Sequence, residues 1–183
     1  MKKLLALILA LTMSVAALSA CGSDTADSEN NSSEQVSSLS NEEISKILKD
    51  NNQEAKTIFN SLNLFFKDLV VEQKIPSEGK YFFELSKDSY LDKSERQINY
   101  DDLQAVNGLL SKEDTKESIK KIILCEYGEY FEDYCPIYFY VEVDENGYLE
   151  SVACARNGYI NYAGQYPDST TTKTTFNIYD LKE

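Results

Sequence analysis

From Ser40 onward the apolar side chains fall at intervals of three and four. Ile44, Ile47, Leu48, Ala55, Ile58, Phe59, Leu62, Phe65, Phe66, Leu69 and Val70 define one stripe of a helix. Ser40-Asn41-Glu42-Glu43 has the capping-box spacing, serine at the cap and glutamate three residues on, so the helix starts there. Pro76 ends it, having no N–H to donate. Continuous from Asn41 to Lys74, it would be about 50 Å long at 1.5 Å per residue. A compact domain of this size is roughly 35 to 40 Å across, so the helix is expected to overhang its core. The stripe is densest from Ile58 to Val70, which marks that half for burial and Asn51-Asn52 as the weaker stretch.

A period of two follows later. Ile137, Phe139, Val141 and Val143 alternate with Tyr138, Tyr140, Glu142 and Asp144, the pattern of a strand with one covered face. Asn146-Gly147 is a preferred pair for a tight hairpin turn, since both residues tolerate positive φ. That turn pairs Val141 with Val152 and Phe139 with Cys154, so both strands point their apolar residues to one side. The helical stripe of Phe and Leu is the surface large enough to cover it. Tyr81 to Leu85 is short and aromatic enough for another strand. Asp101 to Leu110 is expected as a short helix carrying Leu103, Val106, Leu109 and Leu110 on one side. Lys112 to Lys121 is expected as a further helix, capped by Ser111 or Asp114, before the run Ile122-Ile123-Leu124. Threonine-rich Thr170 to Tyr179 adds a further strand. The fold class is α+β, a long N-terminal helix packed on an antiparallel β-sheet, over residues 41–183.

The first forty residues follow a different logic. Met1-Lys2-Lys3 supplies a positive start and Leu4 to Ala17 an almost unbroken apolar run, shorter than the about 20 residues that span a bilayer. Leu18-Ser19-Ala20-Cys21 follows, which resembles the lipobox of bacterial lipoproteins. The resemblance implies cleavage of signal peptide 1–20, a diacylglyceryl group on the Cys21 thiol, and residence on the outer face of the cytoplasmic membrane. Two or three acyl chains, at about 0.8 kcal/mol per buried methylene, anchor stably where one is marginal. Gly22 to Leu39 is Ser, Asp, Glu and Asn with hardly an apolar residue, and cannot bury enough surface to order itself. Residues 21–40 are therefore expected to be a tether with a reach of roughly 20 to 25 Å.

Charge and composition narrow the function. The chain has 18 basic and 31 acidic side chains; without Lys2 and Lys3 the count is 16 against 31, a formal charge of −15. Such a surface repels nucleic-acid phosphates and anionic headgroups, so membrane contact is expected through lipid alone. With no histidine or tryptophan, Ser-His-Asp and Cys-His catalysis and His-ligated zinc or haem are excluded. Beyond Cys21 stand Cys125, Cys135 and Cys154, enough for one internal bridge. Cys125 with Cys135 is the nearest pair, and closing so short a loop contributes at most ~3 kcal/mol. Three buried thiols is the other reading.

A long amphipathic helix laid on an antiparallel meander is the layout of type IV pilins and pseudopilins of type II secretion. Ala55-Lys56-Thr57-Ile58-Phe59-Asn60-Ser61-Leu62-Asn63 resembles the helix segment of pilin-like proteins from gut Firmicutes. The hairpin Tyr138 to Ala155, followed by Gly164-Gln165-Tyr166-Pro167, is similar to the close of their sheet. The resemblance spans residues 50–167. Pilins keep an apolar N-terminal helix behind a prepilin-peptidase site, whereas this chain has a lipobox and a polar tether. The likeness thus implies the fold and argues against fibre assembly.

Several segments carry candidate chemistry. Ser77 to Lys80 and Ser118 to Lys121 match the Ser-x-x-Lys spacing of penicillin-binding enzymes, without the companion elements. Asp144-Glu145-Asn146-Gly147 offers oxygen ligands beside a glycine but lacks the rest of a calcium loop, so a solvated turn is expected and no metal or cofactor. Glu126, Glu129, Glu132 and Asp133 sit among Tyr127, Tyr130, Phe131 and Tyr134; paired carboxylates hydrolyse glycosides when a cleft holds them roughly 5 to 9.5 Å apart. Tyr138 and Tyr140 project from the face opposite the helix, and with Tyr127 and Tyr130 form a candidate recognition surface for an extracellular protein or glycan. The function expected is non-enzymatic binding or scaffolding at the cell surface. An envelope hydrolase using carboxylates and an accessory subunit of a pilus or secretion apparatus are the alternatives.

Overall fold

The computed structural model describes residues 39–89, 91, 107–127 and 136–182. Helix α1 runs Asn41–Val71 with the full capping box: the Ser40 hydroxyl accepts from Glu43 N at 3.3 Å, and the Glu43 carboxylate accepts from Ser40 N at 2.8 Å. The hydrogen bond from the Ser40 backbone holds the Glu43 carboxyl below its usual range. The helix stops short of Pro76, where Gln73 takes φ +64° and donates its N–H to Val70 O at 3.0 Å. A left-handed residue just past the last turn satisfies carbonyls that would otherwise be orphaned.

Two-residue strand β1 (Lys74–Ile75) pairs in parallel with β3 (Gly108–Leu109). Gly108-Leu109 is thus strand where a helix was expected, and residues 101–106 of that expectation lie outside the described residues. Helix α2 (Lys112–Tyr127) starts as read, with the Ser111 hydroxyl accepting from Asp114 N at 3.0 Å, and carries Ile122-Ile123-Leu124 within it.

The main sheet orders β2 (Gly79–Leu85), β4 (Ile137–Val143), β5 (Leu149–Arg156) and β6 (Gly164–Tyr166) as β2-β4-β5-β6, antiparallel throughout. Val141 pairs with Val152 and Phe139 with Cys154, the expected register. The turn differs: only Gly147 has positive φ, at +81°, and Asp144 N donates to Tyr148 O at 2.8 Å. This is a three-residue loop ending in a left-handed glycine rather than a two-residue turn.

The inner face of the sheet is covered by two helices. Ile58, Leu62, Phe65, Phe66 and Leu69 of α1 and Ile119, Ile122 and Ile123 of α2 bury against Phe83, Phe139, Val141 and Val152. Burial on α1 begins at Leu48, so the first two turns lie beyond the core, as the length argument expects. No helix among the described residues is long and apolar enough to cross a membrane.

The outer face is covered too. Residues 157–182 form a strap, of which 157–163 and 176–182 cross the outer face on either side of edge strand β6, burying Tyr138, Tyr140, Ala153 and Ala155 beneath Ile178 with Ile160, Phe176 and Tyr179 packed alongside. The expected strand Thr170 to Tyr179 is therefore corrected: the segment has turns and a short 3-10 helix, Ile178–Leu181. Two of its threonines serve their own backbone, with Thr171 N donating to Thr174 Oγ1 at 2.9 Å and Lys173 N to Thr171 Oγ1 at 3.3 Å. Such local bonds compete with a strand ladder.

The strap is seated on α1 through the pair taken above as the weak stretch. Asn52 Nδ2 donates to Thr170 O at 2.8 Å, while Asn52 Oδ1 accepts from Gln165 N at 2.9 Å and Thr170 N at 3.0 Å. Asn51, fully buried, donates from Nδ2 to Tyr162 O at 2.8 Å. Gly164 lies so close that a Cβ there would meet Asn51 C and Asn52 N at 2.2 Å. Gly164→Ala therefore forces the backbones apart and costs about 3 kcal/mol. Asn52→Ala, which strands buried amide groups, is expected to cost a similar ~3 kcal/mol. Urea denaturation of each variant checks both; a midpoint within error of the parent for either would remove the seating.

Candidate functional site

Because Asn52 fixes Gln165 and Thr170, the chain between them returns alongside α1 and leaves a groove of about 580 Å³. One wall is α1: Ser45, Leu48, Lys49, Asn52, Gln53 and Lys56 recur at three- and four-residue steps along one side. The other wall is Tyr166 at the end of β6 and the row Ser169 to Thr172. The Tyr166 ring is positioned by Phe59, edge-on at 4.9 Å between centroids, and Lys56 Nζ lies 5.7 Å from its centre. Thr170 is buried, and its Oγ1 has no hydrogen-bond partner in the protein. Amides, hydroxyls, one aromatic face and two ammonium groups make a surface for holding a polar ligand. Sequence reasoning missed it because its walls are 110 or more residues apart; the exposed Ser-Thr row beside a lone Tyr-Pro was the available signal.

A second cluster lies inside. Cys154 and Arg156 point to the inner face, where Cys154 Sγ donates to Glu54 Oε2 at 3.4 Å and the Arg156 guanidinium pairs with Glu54. Burial pushes the Cys154 thiol up, and desolvation lowers Arg156 against the opposing pull of Asp50. A thiol held protonated is neither a nucleophile nor a metal ligand. Cys125 is half-buried in α2, whereas Cys135 lies outside the described residues, and with it the candidate Cys125–Cys135 bridge. Cys21 lies outside them as well.

The tyrosine row is corrected. Tyr138 and Tyr140 do project opposite α1, but at 6% and 4% exposure they lie under the strap and present no contact surface. The Tyr138 ring meets Tyr179 edge-on at 5.3 Å, and Tyr127 packs on Phe139 in the inner core at 5.5 Å. Tyr130 lies outside the described residues. A hydrogen bond to Tyr179, with burial, pushes Tyr138 up to about 12; burial, with Glu142, pushes Tyr140 up to about 12.

The remaining motifs resolve into local structure. Ser118 Oγ donates to Asp114 O at 2.8 Å inside α2, so its hydroxyl serves the helix. Ser77 N donates to Thr115 Oγ1 at 2.9 Å, and Ser77 O accepts from Tyr81 OH at 2.7 Å. The Asp144 carboxylate accepts from Asn146 N and Tyr148 N at 2.9 and 2.7 Å, organising the turn from within. Among the described residues no three His, Cys, Asp or Glu side chains gather as a metal site. Of the acidic aromatic segment only Glu126 and Tyr127 are described, and Glu126 accepts from Ser61 Oγ at 2.7 Å. No protein-family model, curated protein or solved structure matches this chain.

The tyrosine shifts set an alkaline limit. A phenol whose pKa is raised in the fold stabilises fully below its unfolded value and loses that contribution as pH climbs through the folded one. Stability is thus expected to fall between about pH 10 and pH 12, the ordinary and raised values of Tyr138 and Tyr140. Absorbance at 295 nm should show a late phenolate fraction that rises together with loss of near-UV circular dichroism. Complete ionisation near pH 10 with the fold intact would contradict the burial.

Proposed function

We propose that the chain is an exported lipoprotein, fastened by lipid on Cys21 to the outer face of the cytoplasmic membrane, whose α+β domain binds an extracellular partner without chemical turnover. The observation that carries this is the order of a charged start, an apolar run and Leu18-Ser19-Ala20-Cys21, followed by eighteen polar-rich residues before the Ser40 cap. Lipid at one end of a tether and a folded body at the other is the construction of a displayed binding module. The long helix on an antiparallel sheet supports a pilin-like reading of that body. The polar tether in place of an apolar N-terminal helix keeps it out of fibres. The groove beside α1 is the surface it offers.

Cells expressing the full chain should incorporate radiolabelled palmitate into it and retain it in the membrane fraction. Cys21→Ala should abolish labelling and yield either uncleaved precursor or protein in the medium. Undiminished labelling of the variant, or a purified natural product that keeps residues 1–20 and carries no fatty acid, would overturn the reading.

A further inference from the structure

The groove departs from the rest of the surface in one respect that bears on its ligand. The chain carries 31 acidic side chains against 18 basic ones, yet none of the eleven residues lining the groove is acidic and two are lysines. Asp168 lies in the Tyr166–Thr172 segment but is not among the lining residues; in a field that repels anions, a pair of ammonium groups with no carboxylate in the lining around them is the place where an anion is tolerated. Lys49 and Lys56 stand seven residues apart on α1, so their stems rise two turns from one another, about 10 Å along the axis at 1.5 Å per residue. Between them lies the Gln53 amide, the Asn52 amide being committed to Gln165 and Thr170, and opposite stand the hydroxyls of Ser169 and Thr172.

That combination has a chemical counterpart. Hydroxyls and amides match the alternating donors and acceptors of a polyol, and a half-buried tyrosine ring offers an apolar face for the C–H side of a sugar. The Tyr166 ring is held by its contact with Phe59, with Lys56 Nζ over it, and needs no ordering when a ligand arrives. The volume, about 580 Å³, falls in the range of small-ligand sites. A protein partner would find no large apolar anchor here, since Leu48 is buried and Tyr166 half-buried.

We infer that the groove between α1 and the Tyr166–Thr172 segment binds an anionic saccharide or polyol chain, whose carboxylate or phosphate groups lie at Lys49 and Lys56. This names the ligand class of the binding role proposed above and rests on that reading; its test is nevertheless made in solution, where the lipid and the address play no part. The purified full chain in detergent is titrated calorimetrically with three probes: oligogalacturonate, glycerol-phosphate oligomers and neutral dextran oligomers. At least one anionic probe is expected to bind, at least tenfold more tightly than dextran. Lys49→Gln/Lys56→Gln should weaken that binding at least tenfold, while Lys80→Gln/Lys116→Gln, at exposed lysines outside the groove, should leave it within twofold. Binding of oligogalacturonate alone assigns a uronic-acid polymer, of glycerol phosphate alone a phosphodiester polymer, and of both a site reading charge and hydroxyls together. Three results would overturn the inference: neither anionic probe binds, dextran binds equally well, or the two double variants weaken binding alike.

Discussion

Asn52 holds three backbone groups of the chain's distant end, and this seating decides where everything from Gly164 onward can lie. A glycine is required opposite it, because the backbone of α1 fills the space a Cβ would need. Polar contacts usually trim a fold that apolar burial has already chosen. Here a carboxamide at the rim of the helical stripe sets the course of the closing segment, and with it both walls of the groove.

That closing segment changes what the sheet is. An antiparallel sheet backed by helices on one side ordinarily leaves its other side wet and polar. In this protein β4 is buried at every position except Glu142, since α1 and α2 cover one face and the strap the other. The arrangement has three layers, two helices, a sheet and an irregular cover. The cover needs room, which β5 supplies: Ala153 and Ala155 sit opposite Tyr140 and Tyr138, small residues beside large ones. Their flatness lets Ile178 and Tyr179 approach the tyrosine rings.

Features encoded by neighbours were legible in the sequence. The Ser40 box, the stripe on α1, strand β2, the start of α2 and the register of the central hairpin each rest on residues within a few positions of one another, and each is present. The features that escaped depend on distant partners. Asn51-Asn52 interrupts the apolar stripe and looks weak until the strap supplies carbonyls and amides to it. Tyr138 and Tyr140 alternate as solvent-facing residues do, and the alanines opposite them were the available sign that this face is covered. The threonines of 170–175 have β-propensity, yet the Thr171 and Thr174 hydroxyls bond within their own turn. Of the candidate site, Tyr166 entered only as part of a family likeness. The lysines that flank its groove lie on a helix, where exposed lysines are ordinary.

The ties between Asn52 and residues 165 and 170 join positions more than 110 apart in the chain. A polypeptide made from its N-terminus cannot form them until most of its length has emerged, and contacts so far apart in sequence form slowly. The apolar stripe of α1 can pack on α2 and the central hairpin without these ties, since its core partners lie elsewhere. The segment from Gly164 to Thr170 is thus the part of the domain fixed in place last, and the walls of the groove come together only at the end of folding.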